Sequence, residues 1–196
     1  MTRGAAWRRA CLAGLALLAL TAQADVAAGR AKAQPCFACH GEAGVSSQPA
    51  IPSLAGQPRQ FLVSALFQFR ERKRVNPVMS PMAANLSNKD MNDLADFFAS
   101  LPAPAPAGAI APERAAQART ITQRNNCTAC HTATMTGQQH IPRLAGQHRE
   151  YLAAQLKAFR ASTRGELDGV MTSAAQALSP EDIELLSEYL ATLAAP

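Results

Sequence analysis

Phe61, Ala65, Leu66 and Phe69 fall at i, i+4, i+5 and i+8, which places them on one face of a helix and leaves the polar residues between them on the other. The pattern predicts a helix near 58–71. Met91, Leu94, Ala95 and Phe98 line a second helix over 88–101, and Ile183, Leu186 and Leu190 line another over 180–193. Both of these open on a serine followed three residues later by an aspartate, Ser87 with Asp90 and Ser179 with Asp182. Side-chain oxygens at that spacing cap the free amides of a helix start. Pro180 sits at the first helical position, where a missing N–H costs nothing. A further helix is expected near 148–162, and a short one leads into each cysteine pair. No alternating pattern of useful length suggests a strand. The expected class is all-α.

The polar and apolar pattern also repeats. Cys36-Phe37-Ala38-Cys39-His40 returns as Cys127-Thr128-Ala129-Cys130-His131, 91 residues on. Ile51-Pro52-Ser53-Leu54-Ala55-Gly56-Gln57 returns as Ile141-Pro142-Arg143-Leu144-Ala145-Gly146-Gln147, 90 residues on, differing at one position in seven. Phe61, Leu62, Phe69 and Arg70 match Tyr151, Leu152, Phe159 and Arg160. Val78-Met79-Ser80 matches Val170-Met171-Thr172, and Leu86, Ser87 and Asp90 match Leu178, Ser179 and Asp182. Pro102-Ala103-Pro104-Ala105-Pro106-Ala107-Gly108 lies between the copies, and alternating proline favours an extended, stiff linker. The expected domains are 25–101 and 112–196, joined by a Pro/Ala linker over 102–111. Each is small for a self-sufficient apolar core, a shortfall that a large flat cofactor would fill.

Ahead of the first copy, Arg3, Arg8 and Arg9 precede an apolar run from Leu12 to Leu20, and Ala22-Gln23-Ala24 follows with small-x-small spacing. That is the form of a secretory signal cleaved after Ala24, leaving residues 1–24 as leader. The run is short for a membrane span. Arg8-Arg9 alone is a weak twin-arginine signal, and Cys11 lacks a lipobox before it. Loss of the leader lowers the formal charge from +5 to +2. No basic run tracks a phosphate backbone, which argues against nucleic acid as a partner.

Four cysteines remain in the mature chain: Cys36, Cys39, Cys127 and Cys130. Two thiols spaced by three lie on one side of a helical turn, where each can add to a haem vinyl group, and the histidine that follows is carried under the ring. The spacing therefore assigns two covalent haem c groups, with His40 and His131 as iron ligands. The competing chemistries fit less well. A thioredoxin-like pair needs a strand–helix setting. A zinc site would bridge the two copies and leave the histidines unexplained, as would a disulfide framework.

A six-coordinate electron-transfer iron needs a second axial ligand, commonly a methionine thioether. Met135 follows His131 too closely to reach the far side of the haem. Met79 aligns with Met171, whereas Met82 aligns with Ala174 and Met91 with Ile183. The repeat therefore selects Met79 and Met171, with Met82 near enough to compete. His140 and His148 have Ala50 and Pro58 as counterparts and read as surface histidines.

These segments, together with Asn76-Pro77-x-Met79 and Leu86-Ser87-x-x-Asp90, resemble the dihaem cytochrome c4 family over nearly the whole mature chain. The resemblance implies two tandem class I cytochrome c folds in a periplasmic carrier of single electrons, passing them from respiratory donors towards a terminal acceptor such as an oxidase. It also implies that the Pro52 and Pro142 carbonyls accept hydrogen bonds from His40 and His131. The expected partners are redox proteins, with peripheral membrane association left open. The alternative is the cytochrome subunit of a dehydrogenase or oxidase complex. A methionine at both irons argues against an enzyme such as a peroxidase, which needs an open position. Three departures stand out. Thr132 replaces Gly41 and Asp168-Gly169 replaces Asn76-Pro77, and Thr120 stands near the place of Gly29.

Overall fold

The computed structural model describes residues 26–195, so the expected leader and its cleavage after Ala24 lie outside the described residues. Among the described residues ten helices follow one another: α1 over 26–32, α2 Gln34–His40, α3 Arg59–Arg70, α4 Met79–Ala83, α5 Asn88–Ser100, α6 Pro112–Arg124, α7 Cys127–His131, α8 Arg149–Arg160, α9 Val170–Gln176 and α10 Pro180–Ala191. Among the described residues the only β pairing is an isolated bridge between Gln138 and Ile141. None of the described helices is long and apolar enough to cross a membrane.

Each half folds around its own core. In the first, Met91, Leu94, Ala95 and Phe98 are buried on α5 as their spacing requires, joined by Phe97, Leu62 and Ala33. The Phe97 and Phe98 rings stand 4.9 Å apart at 56°, a tilted contact that aromatic quadrupoles favour. The second core is mostly aliphatic, with Ile183, Leu186 and Leu190 of α10 packed on Ile121, Leu152 and Met135. Removal of each such large side chain from water contributes roughly 1.5–3 kcal/mol. Both closing helices carry complete capping boxes, Ser87 with Asp90 and Ser179 with Asp182.

The first helix of each half crosses the closing helix where a side chain must be small. A Cβ on Gly29 would lie 2.0 Å from the Asp93 carbonyl oxygen. Thr120 does not take this place in the second half. It is exposed, and its hydroxyl donates back to the Ala116 carbonyl. Ala118, fully buried two residues earlier, lies on the packed face instead. Between α6 and α7, Asn126 adopts a left-handed conformation at φ 52°.

Two short helices, α4 and α9, were hidden from the sequence pattern, and they carry Met79 and Met171. Each starts on a side chain that takes its free amides. Asn76 Oδ1 accepts from the N–H groups of Val78 and Met79 at 2.9 and 2.8 Å. In the second half the Glu166 carboxylate accepts from Met171 and Thr172 at 2.9 and 2.6 Å. The replacement of Asn76-Pro77 by Asp168-Gly169 thus leaves the methionine segment anchored: Asp168 Oδ1 still accepts from the Val170 N–H at 3.2 Å, and Glu166 takes the amides that follow.

Candidate haem sites and the seam between them

The site is built by the seven-residue segment that the repeat preserves best. Nδ1–H of His40 donates to the Pro52 carbonyl at 2.8 Å, and Nδ1–H of His131 to the Pro142 carbonyl at 2.9 Å. A donor role at Nδ1 leaves Nε2 with its lone pair free for a metal, and the bond fixes the plane of the ring. Both rings are buried, and burial holds their pKa below the ordinary histidine value, partly offset by the proline carbonyls. Neutral imidazole is the form that binds iron.

The next residues anchor the segment. The N–H groups of Leu54 and Ala55 donate to the Gly44 carbonyl, and those of Leu144 and Ala145 to the Met135 carbonyl. Gly56 N–H reaches the Phe98 carbonyl on α5, and Gly146 N–H the Leu190 carbonyl on α10. The last residue crosses to the other half. Gln57 takes both backbone groups of Arg143, Nε2–H donating to its carbonyl and Oε1 accepting from its N–H, each at 2.9 Å. Gln147 does the same to Ser53, again at 2.9 Å. Ser53 and Arg143 are themselves equivalent positions, so the seam has an approximate twofold relation. One segment holds its own histidine through its proline and grips the opposite copy through its glutamine.

Further bonds close the seam. The Phe61 N–H donates to the Gln139 carbonyl at 3.0 Å. Arg74 donates to the Tyr151 hydroxyl at 3.1 Å and to Gln155 Oε1 at 2.9 Å, and Arg164, its counterpart, donates to the same Gln155 oxygen at 2.8 Å. A Cβ on Gly165 would fall 1.7 Å from the Lys73 carbonyl oxygen, which shows how closely the backbones approach. His148 belongs here too. It is half-buried, and its Nε2–H donates to the Ser46 carbonyl at 2.9 Å, so it is a seam residue and not a surface one. His140 is exposed.

No disulfide joins the four cysteines; Cys36, Cys39 and Cys127 are half-buried and Cys130 is exposed. Burial pushes the Cys36 and Cys127 thiols up. A redox-active Cys-x-x-Cys pair has the opposite tendency, towards the thiolate. Among the described residues no three of His, Cys, Asp and Glu gather into a metal cluster. Met79 opens α4 and Met171 lies in α9, both half-buried, whereas Met82 is 45% exposed. Met91 and Met135 are buried in the two cores.

The cytochrome c family model matches this chain twice, over residues 26–102 and 115–194. Cytochrome c4 of Pseudomonas aeruginosa is 37% identical over 86% of this chain and 89% of its own length. This chain belongs to the cytochrome c4 family. The thiosulfate dehydrogenase electron acceptor of Stutzerimonas stutzeri is 36% identical, covering 93% of this chain and 94% of the relative. The crystal structure of reduced recombinant cytochrome c4 from Pseudomonas stutzeri superposes with a TM-score of 0.79 at 31% identity, over 86% of this chain and 98% of that one. The fold is therefore two tandem cytochrome c domains. As a cytochrome c4, the chain is an electron-transfer protein and not an enzyme, and its cofactors are two c-type haems. The residues fit that group. Each half supplies a pair of cysteines, a buried imidazole with one nitrogen free and a half-buried methionine.

The motif spacing pointed to the histidines and the family resemblance to their proline acceptors, but neither pointed to the two glutamines. Their signal was present in the near-identity of the seven-residue segments, beyond what a histidine-supporting loop requires.

Proposed function

We propose that the protein is a periplasmic carrier of single electrons, taking them from respiratory donors and delivering them to a terminal acceptor such as an oxidase. In this reading residues 1–24 are the leader, 25–101 and 112–196 the two domains and 102–111 the linker. Cys36 and Cys39 fasten the first haem, Cys127 and Cys130 the second. His40 and Met79 ligate one iron, His131 and Met171 the other, and Pro52 and Pro142 hold the histidines in place. Each haem, when bound, supplies a one-electron iron couple.

The protein's own part is to hold that couple still. The buried Nδ1–H bonds, at 2.8 and 2.9 Å in two copies of one segment, carry the reading. They fix ring orientation and ligand basicity, so that the iron changes charge with little change of coordination. If a histidine nitrogen and a methionine sulfur held each iron, no position would remain for a substrate, and the thioether would raise the potential. The glutamine seam keeps the two domains in register, which suits passage of an electron between them or relay from one end to the other.

Visible spectroscopy with redox titration of the exported protein is the test. Two haems per chain and a methionine–iron band in the oxidised form are expected. Ready binding of carbon monoxide by the native reduced protein would instead mean an open iron position.

A second reading keeps the chemistry and changes the partner: a cytochrome coupled to one dehydrogenase. The relative from Stutzerimonas stutzeri, similar over nearly its whole length, is a thiosulfate dehydrogenase electron acceptor. Stable co-purification with a dehydrogenase subunit would favour it.

A further inference from the structure

The repeat carries one arginine into both halves and leaves it satisfied in only one. Arg70 ends α3, and its side chain is held by three acceptors. Nε–H donates to Glu71 Oε1 at 2.8 Å, and Nη1–H to the Leu86 carbonyl at 2.9 Å and to Asn88 Oδ1 at 3.0 Å. Its guanidinium also lies 5.5 Å from the centre of the Phe67 ring. Arg160 ends α8 at the matching place. There Ala161 replaces Glu71, Pro180 replaces Asn88 and Lys157 replaces Phe67. The acid, the amide oxygen and the ring are gone together, and a second cation stands in their place. Among the described residues the Arg160 side chain has no hydrogen-bond, ion-pair or ring partner.

A cavity of about 540 Å³ opens at this place, lined by Lys157, Arg160, Ala161, Gln176, Pro180 and Ile183. Its volume is that of a small-molecule site. It lies between α8, the end of α9 and the start of α10, and neither the Cys127–His131 turn nor Met171 lines it. Ile183, 1% exposed, gives it an apolar floor. Lys157 shares Glu184 with Arg149, at 2.7 and 3.5 Å, so one acid is divided between two bases. Gln176 Nε2–H donates only to the Ser162 hydroxyl, at 3.4 Å. We propose that this cavity binds a carboxylate, which accepts two parallel hydrogen bonds from the Arg160 guanidinium, with Lys157 adding charge and Ile183 packing on the carbon chain behind it. The first half shows the same arginine satisfied by a carboxylate, and the ligand restores from outside what Glu71 supplies from within. Two sources carry that chemistry: a small dicarboxylic acid, and an acidic segment of a protein partner.

The test uses the full-length exported protein, kept reduced, and follows the Arg160 Nε–H and Gln176 side-chain amide signals by nuclear magnetic resonance. The probes are succinate and a hexaglutamate peptide, with sodium chloride at matched ionic strength as reference. Saturable shifts with succinate would assign a free dicarboxylate, and shifts with the peptide alone an acidic partner segment. In Arg160→Gln the affinity, read from Gln176, should fall about tenfold or more, the worth of one charge-assisted bond. Ala161→Glu rebuilds the Glu71 arrangement and should weaken binding to a similar extent, because the new carboxylate occupies the arginine. Arg70→Gln in the first half should leave binding unchanged. No saturable shift with either probe, a response that chloride reproduces, or undiminished binding by Ala161→Glu would overturn the proposal. None of these outcomes bears on the electron-carrier reading, which haem content and redox titration decide separately.

Discussion

The two domains reach the same histidine geometry on backbones of unequal comfort. In the first, the turn after the ligand histidine uses glycine at both left-handed positions, Gly41 at φ 77° and Gly44 at φ 67°. In the second, Thr132 and Met135 stand at those places with φ 70° and 57°. Left-handed conformations cost a β-branched residue of order 1–3 kcal/mol. Part of this is met locally: Thr132 Oγ1 accepts from the Thr136 N–H at 3.2 Å and shares a bond with the Thr136 hydroxyl at 3.0 Å. Met135 is held by its core and by the two amides that its carbonyl accepts. What has been kept between the domains is the set of hydrogen bonds, and what has drifted is the residue types that make them.

The sharpest way to break that equivalence is at the methionines. Met79→Ala and Met171→Ala should each abolish the methionine–iron band of one haem, lower that haem's potential and leave the other haem's band intact. Met82→Ala should leave both unchanged. Spectra and redox titration of the three variants check this. If Met82→Ala removed a band that Met79→Ala spared, the repeat would have selected the wrong thioether in the first domain.

The seam tests the twofold relation next. Gln57→Ala and Gln147→Ala each strip partners from two buried backbone groups of the opposite domain. Each orphaned group costs about 1–3 kcal/mol, so each variant should lose about 2 kcal/mol or more. The two losses should be similar, read as the fall in stability by denaturant unfolding of the holoprotein. A large loss from one glutamine and none from the other would mean that the seam is held from one side.

A smaller effect probes the turn itself. Gly41→Thr puts into the first domain what the second already contains, but without the threonine hydroxyl network. Its Cβ would also meet the Val45 carbonyl oxygen at 2.3 Å. A loss of about 2 kcal/mol is expected. The reverse change, Thr132→Gly, removes strain and the hydroxyl bonds together and should shift stability by less than about 1 kcal/mol. Equal and opposite changes would show that the network contributes nothing.

How much of this was legible depends on distance along the chain. Helix stripes, capping boxes and the Cys-x-x-Cys-His turns are local, and period and spacing disclosed them. The proline acceptors lie 12 and 11 residues from their histidines and came from family resemblance. α4 and α9 escaped because five and seven residues are too few for a period to register. Their starts are set by Asn76 and Glu166, side chains that act from outside the helix. His148 read as a surface histidine because no spacing rule links it to Ser46, 102 residues away. Gln57, Gln147 and Arg143 are of the same kind, since a residue that acts across a domain seam has no periodic signature.

The smallest expected effect concerns how the first helical segment is tied to the closing helix. Lys32 pairs with Asp90 in the first domain, and Arg124 pairs with Asp182 at 2.9 Å in the second. The Lys32 ammonium holds the Asp90 carboxyl well below the usual carboxylate range, with the Ser87 hydroxyl and N–H adding to the effect. A depressed pKa in the folded state means a contribution that is complete above the unfolded value, about 3.9, and is lost as pH falls through the folded one. Lys32→Met should therefore lower the unfolding midpoint slightly at pH 7, and the gap to wild type should narrow as the pH drops below about 4. The pair is partly exposed, so added salt should narrow the gap as well. Thermal unfolding of wild type, Lys32→Met and Arg124→Met at pH 7 and pH 3 makes the measurement. A Lys32→Met gap that stayed constant in acid would mean that the lysine acts through its packed methylene stem and not through its charge.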